Sequence, residues 1–142
     1  MAYTTLADLT DRYGEDLLVS LTDRGEVATG LIDQDVVDRA VADADAEIDG
    51  YLKGKYRLPL DTTPPLVSAL SRLIAIWNLH TFDAPEKIER DYKEAVNKLK
   101  DIARGLIVLD VAGIEPKTSG SSSVQVTDRE RPLTAENMKG WI

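Results

Sequence analysis

The chain carries one histidine and no cysteine, with 25 acids against 17 bases, so its chemistry must rest mainly on carboxylates, amines and hydroxyls. His80 is the only imidazole. A general base needs an orienting partner and a reacting proton within reach. Its neighbours Asn78, Thr81 and Asp83 supply no such constellation and fit a helix end, where an imidazole meets the final carbonyls. The run Asp45-Ala46-Glu47-Ile48-Asp49-Gly50 places acids at the first, third and fifth positions of a calcium loop, with Gly at the sixth and Leu52 at the apolar eighth. The twelfth position is Tyr56, however, where that loop needs a bidentate Glu. The same acids fall on the polar side of a strongly periodic helix and read as its solvated face. Lys53, Lys55 and Arg57 alternate with Gly54 and Tyr56 beside Tyr51, a pattern that can pair phosphates and stack bases. It also fits cations gathered at a helix C-terminus by its dipole. The lack of Cys removes thiolate catalysis, disulfides and the common zinc frameworks. No phosphate loop, nucleophile elbow or zinc helix occurs. The residues therefore predict no catalytic site, no metal and no cofactor, and the chain reads as a non-enzyme.

Charge narrows the partners. The net charge of −8 lies within residues 1–112, where 21 acids face 13 bases; residues 113–142 hold four of each and are neutral. An acidic body is repelled by phosphate and gains nothing from counterion release, so DNA can pass nearby without being held. The longest apolar runs, Leu73–Trp77 and Leu106–Leu109, are far short of the roughly 20 residues that span a bilayer, and the start of the chain has no basic and apolar leader. A soluble protein folding in a reducing cytoplasm is expected, with no membrane partner.

The elements that would position these residues are helical. Thr5 caps a short helix carrying Leu6, Leu9 and Tyr13, which Gly14 closes; Glu15 to Leu21 forms a second. Thr22–Glu26 and Gly30 read as loop. In the third helix Asp33 is the cap and Val37, Val41, Ala44, Ile48 and Tyr51/Leu52 form one apolar stripe. The opposite face bears Asp35, Asp38, Asp43, Asp45, Glu47 and Asp49; Gly50 and Gly54 weaken the end and Pro59 stops it. A fourth helix starts at Pro64-Pro65 with Thr63 as cap, and is apolar on more than one face, which predicts the central, most buried position. A fifth runs from Pro85 to Arg104, with Asp83 capping and Gly105 at the stop; Glu86–Arg90, Glu89–Lys93 and Glu94–Lys98 are spaced for ion pairs. Leu106 to Val111 is β-prone. Gly113, Pro116 and Ser119–Ser123 make a flexible linker before an apolar end at Trp141-Ile142. The expected fold class is mainly α: a compact bundle of about five helices, two short and three long, over residues 1–112, with an extended C-terminal docking segment over 113–142.

One block is familiar. Ala46 to Leu60 has a helix ending in Ile-Asp-Gly-Tyr-Leu, a Gly, basic residues around a Tyr, then Leu-Pro. It resembles the hallmark of the Mu-like prophage family of small head-cluster proteins. Thr5–Leu9 with Gly14-Glu15 resembles that family's opening, and Arg131-Pro132-Leu133-Thr134 to Met138–Trp141 resembles its closing motif. Two positions depart: Lys55 precedes Tyr56 where the family commonly has Arg, and Trp77 stands where it has a tyrosine. The family is similar in helical layout to adaptor proteins that form a dodecameric ring under the portal of long-tailed phages. The resemblance implies a head–tail connector subunit that partners itself, the portal protein and tail-completion proteins. It would assemble in the host cytoplasm and end at the head–tail junction of the virion. The subunit interface it suggests comprises Tyr51, Lys53, Lys55, Tyr56, Arg57, Leu133, Met138 and Trp141, with Tyr51 packed inward and Tyr56 and Arg57 open to a neighbour. The rival reading is an acidic regulatory protein or DNA mimic. The charge-mixed fifth segment, five acids and six bases from Pro85 to Gly105, weakens it.

Overall fold

The computed structural model describes residues 2–110, and these form five helices. They are α1 (Leu6–Tyr13), α2 (Glu15–Thr22), α3 (Gln34–Leu52), α4 (Pro65–Leu79) and α5 (Glu86–Arg104). Two are short and three long, as the periodicity predicts. Thr5 accepts a hydrogen bond from the Asp8 N–H and caps α1, while Gly14 takes a φ of 87°, a conformation open mainly to glycine. Asp33 caps α3 through the Asp35 N–H.

The three long helices pack against one another; α4 meets α3, α5 and α1, and α3 meets every other helix, so α4 shares the centre with α3. Val67, Leu70, Ile74, Ala75, Ile76 and Leu79 of α4 are all buried, which explains why the segment is apolar on more than one face. They meet Val37, Val41, Ala44, Ile48 and Leu52 of α3 and Ala95, Leu99 and Ile102 of α5 in one core. Tyr92 stacks on Trp77 with ring centroids 4.9 Å apart, so the unusual Trp has a defined partner. Tyr92 and Val96 of α5 are only half-buried.

The cross-links fix the helix directions. Asn78 near the end of α4 donates to the Ala40 carbonyl near the start of α3, and Ser71 donates to Asp45, so α3 and α4 run antiparallel. Lys55, just past α3, lies beside Gly105, just past α5. The bundle thus has two distinct ends. One gathers the C-termini of α3 and α5; the other gathers the start of α3, the end of α4 and the start of α5.

Several local expectations need correction. Thr63 does not cap α4: the cap position is Pro64, and Pro65 opens the helix at the first position, where its missing N–H costs nothing and its fixed φ suits the helix. Asp83 does not cap α5 either, since Pro85 holds that position and Asp83 stands two residues outside it. Of the expected α5 ion pairs, Glu89–Lys93 closes at 3.0 Å; a Lys87–Asp91 pair at 2.7 Å forms in place of the others. Residues 106–110 form no strand. Gly105 adopts the left-handed conformation, φ 83°, and the Leu106 N–H bonds back to the Asp101 carbonyl at 2.9 Å, closing α5 in a Schellman turn. Leu109 then folds into the core rather than pairing as an edge. Val111, the linker and the C-terminal segment lie outside the described residues.

Candidate functional site

The segment after α3 is built on two tight turns, in which the Lys55 and Tyr56 N–H groups both bond the Leu52 carbonyl, at 2.9 and 2.8 Å. This adds one last turn beyond α3 and leaves Tyr56 packed inward. Tyr56 is only 2% exposed, and its hydroxyl accepts the Leu109 N–H at 2.7 Å. The expectation that Tyr56 is open to a neighbour is therefore wrong for the folded subunit. A phenol ring has enough apolar area to be pulled into the core, and its hydroxyl finds a backbone donor there. Tyr51 is half-buried against the core, as expected, while Lys53 and Arg57 are exposed and Lys55 is intermediate. The segment thus presents cations outward on an aromatic foundation. Leu133, Met138 and Trp141 lie outside the described residues.

The opposite end is organised by the loop after α2, which the sequence marks at Thr22–Glu26 and Gly30. The Asp23 carboxylate accepts the Thr29 and Gly30 N–H groups at 2.9 and 3.0 Å, closing residues 23–30 into a ring. Those bonds, from Gly30 foremost and then Thr29, hold the Asp23 carboxyl below its usual range. The stabilisation they give is present above the ordinary Asp pKa and is lost as pH falls through the depressed value. Arg24 donates to the Leu79 carbonyl at 2.6 Å and ties the loop to the end of α4. His80 sits there as a helix-end group, its Nδ1 2.8 Å from the Ile76 carbonyl. This is the structural role its neighbours suggested. Leu21, Arg24, His80 and Phe82 line an open cleft of about 570 Å³.

The acidic face of α3 divides in two. Asp35, Asp38 and Asp43 are exposed as expected, but Asp45, Glu47 and Asp49 are half-buried and committed to internal bonds. Asp45 accepts from buried Ser71 at 2.9 Å and from the Tyr3 N–H at 3.1 Å; Tyr3 also donates its hydroxyl to Asp49, and Tyr92 donates to Glu47 at 3.1 Å. Burial raises the Asp45 pKa against the pull of those two hydrogen bonds, so its charge costs stability at neutral pH and the cost is relieved as pH falls through the raised value. Burial foremost, and then the bond to Asp49, raises the Tyr3 hydroxyl's pKa as well. α3 runs unbroken through Asp45–Gly50, so this run does not fold as a calcium loop.

What the sequence reading missed is the distribution of exposed apolar groups. Phe82 is 92% exposed, and Val27, Leu31, Leu106 and Val108 are the other large exposed hydrophobics among the described residues. All five lie at the two ends of the bundle and none on its flanks. The signal was available: Val27 sits between Gly25 and Gly30, Leu31 follows Gly30 in the same loop, and the single Phe stands outside the helical period.

Among the described residues no helix is long and apolar enough to cross a membrane. Over residues 3–128 the chain matches the family model described as Bacteriophage Mu, Gp36. It is 34% identical to Gene product J of Escherichia phage Mu, in an alignment covering the whole of both chains. It is 27% identical over 111 residues to the Mu-like prophage FluMu protein gp36 of Haemophilus influenzae, spanning 78% of this chain and 79% of that one. The block from Ala46 to Leu60 lies inside the matched region, and the chain belongs to the Bacteriophage Mu Gp36 family.

Proposed function

We propose that the protein is a structural component of the phage particle: a head–tail connector subunit that assembles into a ring beneath the portal and acts without catalysis. The observation that carries this reading is the pair of apolar ends on a small, otherwise polar-flanked helical body. A ring uses two different, mutually complementary surfaces on each subunit, whereas a closed two-fold dimer uses one surface twice. Phe82 with Val27 and Leu31 at one end, and Leu106 with Val108 at the other, supply two. On this reading the subunit assembles in the host cytoplasm and comes to rest at the head–tail junction, between the portal and the tail-completion proteins. Removing the gene from an inducible prophage that encodes it should yield filled or fillable heads and complete tails that do not join, restored by supplying the protein. Normal joined particles in its absence would refute the assignment.

DNA is a passenger in this picture. A body carrying −8 should bind duplex DNA no better than a generic acidic protein at physiological salt. Fluorescence anisotropy checks this; a salt-dependent, sub-micromolar affinity would contradict it and the passive channel with it. A DNA mimic would need its acids free on one continuous face, and Asp45, Glu47 and Asp49 are instead committed to Tyr3, Ser71 and Tyr92.

A further inference from the structure

The two ends differ in charge as well as in sequence. At the end formed by segments 23–35 and 80–89, seven acids face two bases, and both bases are engaged, Arg24 with carbonyls and Lys87 with Asp91. At the end formed by segments 53–64 and 98–110, six bases face three acids. Each end also carries exposed apolar side chains, Val27, Leu31 and Phe82 at the acidic end and Leu106 and Val108 at the basic one. Exposed apolar groups together with one sign of charge have the composition of a specific contact, and the surface that fits them is apolar with the opposite sign. That surface exists on the other end of the same molecule.

We infer that the subunits contact one another head to tail, the acidic end bearing Phe82 of one copy seated on the basic end bearing Arg57, Leu106 and Val108 of the next. The inference rests on the ring reading above and supplies its direction. A like end cannot serve as partner, because two acidic or two basic ends would bring the same charges together over apolar groups, which costs rather than gains. The alternating polarity also makes every contact equivalent, so the array can close on itself. Attraction between exposed charges at these distances is screened within about 8–10 Å at physiological salt, so association should weaken as salt rises.

Two full-length variants test this by sedimentation velocity. In the first, Glu26→Lys, Asp83→Lys and Glu86→Lys together turn the acidic end basic. In the second, Lys53→Glu with Arg57→Glu turns the basic end acidic. All five side chains are exposed, so each variant should stay close to the wild-type melting temperature. The wild type should form concentration-dependent oligomers, and each variant alone should sediment as a monomer. An equimolar mixture of the two should associate again, because the first variant's unaltered basic end meets the second's acidic end and the reverse contact is also complementary. If the wild type oligomerises and either variant alone does so equally well, the contact lies elsewhere; this inference then fails while the ring reading stands. Failure of the mixture to associate overturns it too, as does a wild type that stays monomeric up to about 1 mM, the limit of useful self-affinity. A third variant, Leu106→Lys with Val108→Lys, identifies the occupant of the basic end. Lost association at an unchanged monomer melting temperature supports a second copy. A lowered monomer melting temperature would mark the chain's own residues 111–142 as the occupant, and contradict the proposal.

Discussion

Replacing Tyr56 with Ala is expected to destabilise the isolated subunit by about 3–5 kcal/mol, the usual cost of truncating a buried aromatic to Ala. The ring is sealed in the core beneath the turn after α3, and its hydroxyl is the partner of the Leu109 N–H. Truncation removes the apolar contact and leaves that N–H buried without an acceptor. Tyr56→Phe separates the two effects: it keeps the ring and loses only the hydrogen bond, at about 1–3 kcal/mol. Arg57→Ala, one residue on and exposed, should change stability by less than about 0.5 kcal/mol. Urea unfolding followed by circular dichroism measures all three. The loss at Tyr56 should match that of Leu70→Ala or Leu99→Ala, each expected to cost about 2–5 kcal/mol at fully buried α4 and α5 positions. A Tyr56→Ala variant as stable as wild type would mean that the aromatic is not part of the core, and would return it to the surface role the family resemblance suggests.

This residue also marks the boundary of what could be read from the sequence. Helical positions were legible because burial imposes a three- and four-residue period, and Leu70, Ile74, Leu99 and Ile48 obey it. Outside the helices no period applies. The direction of Tyr56 depends on two turns that bond back to the Leu52 carbonyl, and the fate of Leu109 depends on Tyr56 being there to receive it. The acidic face of α3 misled for a related reason. Asp43 and Asp45 were grouped on one face, yet residues two apart on a helix lie about 200° apart; Asp45 borders the apolar stripe, where Ser71 of α4 and the N-terminal Tyr3 converge. Which carboxylates are internal acceptors is decided by the neighbouring helix, and the local pattern cannot show it. The cap positions failed at α4 and α5 because the helices begin later than Thr63 and Asp83 would set them, with Pro64 and Pro85 in the cap positions. At the candidate surfaces, the cations of Lys53 and Arg57 were legible as a motif. The apolar residues that would accompany them, Leu106 and Val108, were read as strand formers, and Phe82 was not singled out.

Deleting residues 113–142 is expected to abolish the joining of heads to tails while leaving the melting temperature and helical content of the subunit unchanged. The body is closed without them. α5 ends in its Schellman turn, and Leu109 is anchored on Tyr56 before the segment begins. Gly113, Gly120 and the serines around it bring little apolar area to offset roughly 1–2 kcal/mol of backbone entropy per ordered residue. Val124, Val126, Leu133, Met138 and Trp141 do bring such area, with Trp141 the largest single contribution, and it requires a receiving surface. A neighbouring subunit or the adjoining ring would supply one. Thermal unfolding and particle assembly, measured on the same truncated protein, distinguish this from an intramolecular role. A fall in melting temperature of more than about 5 °C, on the order of 1 kcal/mol for a domain of this size, would place the segment in the subunit's own core.

The central claim is that this protein forms a ring at the head–tail junction, and imaging that junction tests it most directly. Particles whose copy of the protein carries a small C-terminal density tag would be averaged by electron cryomicroscopy around the portal axis. The account predicts tagged density in a closed ring directly beneath the portal, made of five-helix subunits that surround an open channel. Particles that join heads to tails normally, with the tag absent from the junction or placed elsewhere on the virion, would contradict it.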